Sequence, residues 1–140
     1  MGRLQLRYDR QRLAFLALVS IELTPGRWTA VELLVDSGSN TSGVTAPVAS
    51  ANGVALSRLP WGDLSVVGGL STQPFLAEAR AALHGDPGAG VRLRPLWVLA
   101  ESQYPLDEAD EGGILGLDAL DAYGARLILD LRAGRGLIEW

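Results

Sequence analysis

The sequence predicts an all-β fold, a closed or partly open barrel with one or two short helices. Two observations predict it: short runs of apolar and β-branched residues separated by glycine- and proline-rich turn signals, and the absence of any fixed-period repeat. At least six such runs can be traced, too many and too short for a helical bundle.

Leu13 to Leu23 and Trp28 to Val35 flank Thr24-Pro25-Gly26-Arg27, so this stretch reads as a hairpin turned at Pro-Gly. Thr45 to Gly53 opens with a capping hydroxyl, carries an early proline and ends in glycine, which are the start and stop signals of a short helix. In Val66-Val67-Gly68-Gly69-Leu70-Ser71 paired glycines between apolar residues suit a hairpin tip. Phe75 to Leu83 is open between helix, from its alanines, and strand, from the alternation of Phe75, Ala77, Ala79, Ala81 and Leu83. Gly85 to Gly90 is a loop, followed by a strand from Val91 to Leu99 made irregular by Pro95. Leu117, Leu120 and Tyr123 share a helical face, with Asp118 favourable near the N-terminus and Gly124 suited to close the helix. Arg126 to Leu131 and Gly136 to Trp140 read as a final hairpin around Ala133-Gly134.

With 48% apolar and 20% charged residues, the 140-residue chain has a globular composition, and its length suits one domain. The absence of cysteine excludes disulfides, thiolate zinc sites, iron–sulfur clusters and cysteine nucleophiles, and permits a reducing compartment. A formal charge of −4 argues against nucleic acid as a partner, although Arg3, Arg7, Arg10 and Arg12 gather near the start. That basic start and the apolar run after it imitate a secretory signal, but no small-x-small cleavage site follows and Glu22 arrives early. No apolar stretch approaches the roughly 20 residues of a spanning helix. The expectation is a soluble protein without a membrane partner, with the cytoplasm favoured. The acidic run Asp107 to Glu111 lacks the ligand order and glycine of a calcium loop and reads as a solvated loop.

The chemistry concentrates in Val31-Glu32-Leu33-Leu34-Val35-Asp36-Ser37-Gly38-Ser39-Asn40, where a carboxylate ends a buried strand. Burying a lone carboxylate costs several kcal/mol unless donors or a proton compensate it. Ser37, Gly38 and Ser39 are suited to supply donors, the hydroxyls directly and the glycine by letting backbone amides approach. Taken alone, Asp36-Ser37-Gly38 also fits an ordinary turn. The second element is Gly112-Gly113-Ile114-Leu115-Gly116, far downstream at a strand-to-helix junction, and the two together are much rarer than either.

On Leu34-Val35-Asp36-Ser37-Gly38 and Ile114-Leu115-Gly116 the sequence resembles the retropepsin-like aspartic proteases, single-domain relatives of pepsin. The resemblance extends through Tyr123 to Leu131 and divides the chain into an N-terminal arm, 1–12, and a protease domain, 13–140. It implies an acid-protease barrel that works as a homodimer, with Asp36 as the catalytic residue of each copy and a polypeptide as substrate. Ser37, Gly38, Ser39, Ile114, Leu115 and Gly116 would support the active-site loop. Val67, Gly68, Gly69 and Leu70 match the flap, the hairpin that closes over substrate. No cofactor and no metal are implied. Serine stands where threonine is more usual after the aspartate, and Asn40 where retroviral members carry a second aspartate.

No other Asp-Ser/Thr-Gly occurs, so one chain carries half a site. A rival reading keeps the fold as an inactive dimerisation or peptide-binding module; intact Asp36-Ser37-Gly38 counts against it. A Ser-His-Asp hydrolase has one candidate base, His84, which reads as an exposed polar residue, and the same lone histidine disfavours metal hydrolysis. The four tryptophans, Trp28, Trp61, Trp97 and Trp140, receive no role.

Overall fold

The structure is a computed structural model describing residues 2–66, 69–99 and 112–140. The described residues form twelve strands: β1 (Arg3–Asp9), β2 (Ala14–Thr24), β3 (Arg27–Val35), β4 (Gly43–Thr45), β5 (Trp61–Val66), β6 (Gly69–Leu76), β7 (Ala79–Leu83), β8 (Val91–Leu93), β9 (Leu96–Leu99), β10 (Gly113–Leu115), β11 (Arg126–Asp130) and β12 (Arg135–Glu139). The described residues also form two short helices, α1 (Ala46–Ala51) and α2 (Leu117–Tyr123), and one 3-10 turn at Leu56–Arg58. The strands join in the order β11-β12-β1-β2-β3-β10-β4-β9-β6-β5, with β7 pairing β2 and β8. The path is open, since β11 and β5 end it without pairing each other. The all-β expectation with one or two helices therefore holds, and the sheet is not a closed barrel.

The long β2–β3 hairpin forms where the Pro-Gly turn predicts it, running from Leu16↔Leu34 to Thr24↔Arg27. The strand starts one residue later than the apolar run, because Leu13 takes a positive φ of 52° in the preceding turn and is 72% exposed. The residues read as an arm contain β1, which pairs antiparallel with both β12 and β2. Leu4 and Leu6 of β1 point inward while Arg3, Gln5 and Arg7 face water, the period of two expected of a half-buried strand. The four early arginines do not form a basic patch. Arg3 pairs with Glu139, Arg7 with Glu32 and Arg12 with Asp9, while Arg10 lies over the Tyr8 ring.

The ambiguous segment resolves as strand. Phe75 and Leu76 end β6, and Ala79, Ala81 and Leu83 are buried on one face of β7, packed between β2 and β8, so tertiary pairing overrides the helix propensity of alanine. Pro95 splits the next run into β8 and β9. In α1 the proline sits in the first turn as expected, while the Thr45 hydroxyl makes no capping bond. In α2 the core-facing stripe is Ala119, Leu120 and Tyr123, and Leu117, expected on that face, is 41% exposed. Gly124 closes the helix at φ +60°, the left-handed conformation that favours glycine.

The main core gathers Leu4, Leu6, Phe15, Val19, Ile21, Leu33, Leu96, Leu115 and Ile138, among others. A smaller cluster of Leu64, Trp97, Leu99 and Ile114, with Phe75 against it, is separate from that core. No described helix is long and apolar enough to cross a membrane. Of the flap residues read from the sequence, Val67 and Gly68 lie outside the described residues, as does the acidic run Asp107 to Glu111.

Candidate active site

β3 delivers Asp36 to the point where β10 runs parallel to it, with Ile114 opposite Leu34 and Leu115 opposite Val35. The Asp36 backbone N–H continues that ladder by donating to the Leu115 carbonyl at 3.0 Å. The chain then turns sharply: the Ser39 N–H donates to the Asp36 carbonyl at 3.1 Å, and the Gly38 N–H donates to Asp36 Oδ1 at 3.0 Å. Asp36 is thus half-buried at a strand end, its carboxylate accepting a backbone amide.

The expected donors divide. Gly38 supplies one through its amide, whereas the Ser39 hydroxyl donates to the Thr41 carbonyl at 2.7 Å and so braces the loop rather than the carboxylate. Ser37 is exposed. Asn40 is exposed beside it.

Ile114-Leu115-Gly116 lies against this loop. Leu115 is fully buried in the main core while Ile114 turns the other way into the smaller cluster, as neighbours on a strand must. Gly116 passes so close beneath the loop that a Cβ there would overlap the Thr41 carbonyl, which explains the glycine by steric need. Immediately after it, the Leu117 N–H donates to the Ser39 carbonyl at 2.8 Å.

A second tie escaped sequence reasoning. The Ser42 hydroxyl donates to Asp118 Oδ1 at 2.6 Å, its backbone N–H donates to Oδ2 at 3.1 Å, and its oxygen accepts the Gly116 N–H at 2.9 Å. Asp118 was visible only as a favourable charge in the first turn of α2, and a contact this long-range has no local signal. With it, the aspartate loop and the start of α2 form one hydrogen-bonded unit.

The β5–β6 hairpin pairs as far as Val66↔Gly69, and Leu70 beside its end is 71% exposed. Beneath the hairpin Leu64, Ser71 and Gln73 are buried, with Gln73 Nε2 donating to Ser71 Oγ at 2.8 Å. His84 is exposed. Among the described residues no group of three or more histidine, aspartate or glutamate side chains is gathered to hold a metal. Away from this loop, the Arg12 guanidinium and amide hold the Asp9 carboxyl below the usual carboxylate range, and the Tyr123 hydroxyl and the Gly88 amide do the same for Asp86.

No family model matches the chain, and no curated protein matches it in sequence. Among solved structures it is similar to a retropepsin-like aspartic protease from Rickettsia conorii, with a TM-score of 0.65 and 14% identity, over 98% of this chain and 89% of that one. At that identity the likeness is one of fold: the chain has an acid-protease-like fold, shared with a retropepsin-like aspartic protease.

Proposed function

We propose that the protein is an aspartic endopeptidase that works as a homodimer, with one Asp36 from each copy. The observation that carries this reading is the placing of Asp36, at the end of β3 against β10, fixed through backbone hydrogen bonds and half-exposed, within an acid-protease-like fold.

The chemistry requires two carboxylates so close that they share one proton and titrate as a unit. The chain holds one Asp-Ser-Gly, so two-fold association supplies the second from an identical copy. The ionised Asp36 takes a proton from water as that water attacks the peptide carbonyl, and the protonated Asp36 donates to the carbonyl oxygen. Ser37, exposed on the loop, faces the partner loop and keeps the two in register. The Gly38 amide steadies the carboxylate, and Ser39, Ile114, Leu115 and Gly116 hold the loop from below. The β5–β6 hairpin closes over an extended polypeptide, gripping it as an added strand and excluding water.

The test is Asp36→Asn. The variant is expected to keep the fold and the dimer and to lose peptide cleavage in a library digest read by mass spectrometry between pH 4 and 7. A variant that still cleaves would sink the mechanism.

A further inference from the structure

β11 ends the strand path. Among the described residues it pairs with β12 alone, in unbroken register from Arg126↔Glu139 to Asp130↔Arg135. Its other edge presents a row of backbone N–H and C=O groups, the template on which a further strand can add. Folded proteins protect such an edge with a proline, a bulge or a charge in mid-strand. Arg126-Leu127-Ile128-Leu129-Asp130 has none of these: its centre is apolar, with Ile128 40% and Leu129 45% exposed, and Leu131 just beyond it is 60% exposed. Leu127 packs on the main core, whereas Leu129, two residues on and therefore on the same face, is left half-exposed.

The order of these five residues fits a second copy of the same strand. A two-fold axis lays two identical strands antiparallel, and because facing pairs alternate between hydrogen-bonded and open, the axis has to pass where a residue faces its own copy. With Ile128 on the axis, Arg126 faces Asp130 of the partner subunit and Asp130 faces the partner's Arg126, two opposite-charge pairs from one strand. Both side chains are exposed, and Asp130 Oδ1 accepts the Ala133 N–H at 2.9 Å, a bond that steadies the carboxylate without neutralising it. Leu129 faces the partner's Leu127, so each half-exposed leucine meets the residue through which the other copy's core reaches its edge. Moving the axis to Leu129 sets Arg126 against the partner's Arg132, like charges, and moving it to Leu127 sets Arg126 against the partner's Ile128. Charge and apolar surface both select the register centred on Ile128.

We infer that β11 is the edge through which two copies of this chain join, β11 pairing antiparallel with the partner's β11 about Ile128 so that one sheet runs on from copy to copy. This rests on the homodimeric reading above and names the surface that forms it.

The experiment reverses each charge in the full chain, as Arg126→Asp and as Asp130→Arg, and then mixes the two variants. Each variant alone sets like charges face to face twice across the axis and is expected to raise the dimer dissociation constant, read by sedimentation, about a hundredfold. In the mixture one copy carries acids at both positions and the other carries bases, so opposite charges meet again and dimers are expected to return. A dimer that withstands either substitution, or a mixture that stays monomeric, overturns the interface while leaving a homodimeric protease joined elsewhere. Dimers that return on mixing, from a native protein that cleaves no peptide, support the interface and overturn the protease. A native protein that sediments as a monomer overturns the interface and the homodimeric reading together. Should a reversed chain fail to fold, Ile128→Cys provides the reading in a chain that has no cysteine of its own. Oxidation is expected to link two copies through the introduced thiols far faster than in Leu13→Cys, which is exposed in the β1–β2 turn. Equal rates overturn the proposal.

Discussion

The Asp118 carboxylate takes both the hydroxyl and the backbone N–H of Ser42, at 2.6 and 3.1 Å, while the Ser42 oxygen accepts from Gly116. Residues far apart in the chain are thereby locked into the support of the aspartate loop, and Ser42 is only 1% exposed at the centre of that lock.

Ser42→Ala leaves the buried Gly116 N–H without its acceptor and takes one of two donors from Asp118 Oδ1, which keeps the Ala119 N–H, so it is expected to cost about 2 kcal/mol of stability. Urea unfolding measures this through the transition midpoint. A loss below about 0.5 kcal/mol, the range of an ordinary surface change, removes the lock as a structural explanation.

Gly116→Ala places a methyl group where the Thr41 carbonyl stands. The obstruction is backbone, which cannot rotate away, and the expected cost is about 3 kcal/mol or more, enough to deplete soluble protein. Equal yield and unchanged melting would show that the loop has room to move.

Asp86 accepts from the Tyr123 hydroxyl at 2.5 Å and from the Gly88 N–H at 2.8 Å, and these bonds hold its carboxyl below the usual range. A carboxyl lowered on folding stabilises the protein above its unfolded pKa and loses that contribution as pH falls through the lowered folded value. Burial, and next the bond to Asp86, push the Tyr123 phenol above its ordinary 10.0, so its contribution is present below that value and lost in strong alkali. Tyr123→Phe is therefore expected to lower the melting temperature at neutral pH and to flatten its fall on the acid side. Melting curves across pH 2 to 8 check it; parallel curves for the two proteins contradict it.

Leu70 stands exposed at the end of the β5–β6 hairpin, where a flap residue would meet substrate. Leu70→Ser is expected to leave stability within about 0.5 kcal/mol and to raise KM about tenfold in peptide cleavage. An unchanged KM excludes Leu70 from the substrate contact.

Activity of a homodimeric site has to depend on concentration. Specific activity is expected to fall on serial dilution, together with the dimer fraction seen in sedimentation. Constant specific activity from a sedimenting monomer contradicts the two-copy mechanism.

Where a fold signal was local, it was legible. The Pro-Gly turn, the early proline of α1 and Gly124 at the end of α2 each rest on chemistry confined to a few neighbours, whereas β1, inside the residues read as an arm, is set by its pairing with β12 and β2. Phe75 to Leu83 stayed open because alanine favours helix in isolation, and only pairing with β2 and β8 decides for strand. Leu117 was placed wrongly because a seven-residue helix has too few turns for its spacing to fix a face, and its docking through Asp118 sets the rotation.

The sequence by itself determined that a carboxylate ends a buried strand in Asp36-Ser37-Gly38 and that Ile114-Leu115-Gly116 returns later, since both are runs of neighbouring residues. Only the tertiary structure decided that the two runs lie side by side in parallel, that Ser42 and Asp118 bolt them together, and that Ser39 braces the loop instead of the carboxylate. The reason is physical: strand and turn preferences act over a few residues, whereas the partner of a buried hydrogen bond is chosen by whichever distant segment the fold brings within about 3 Å.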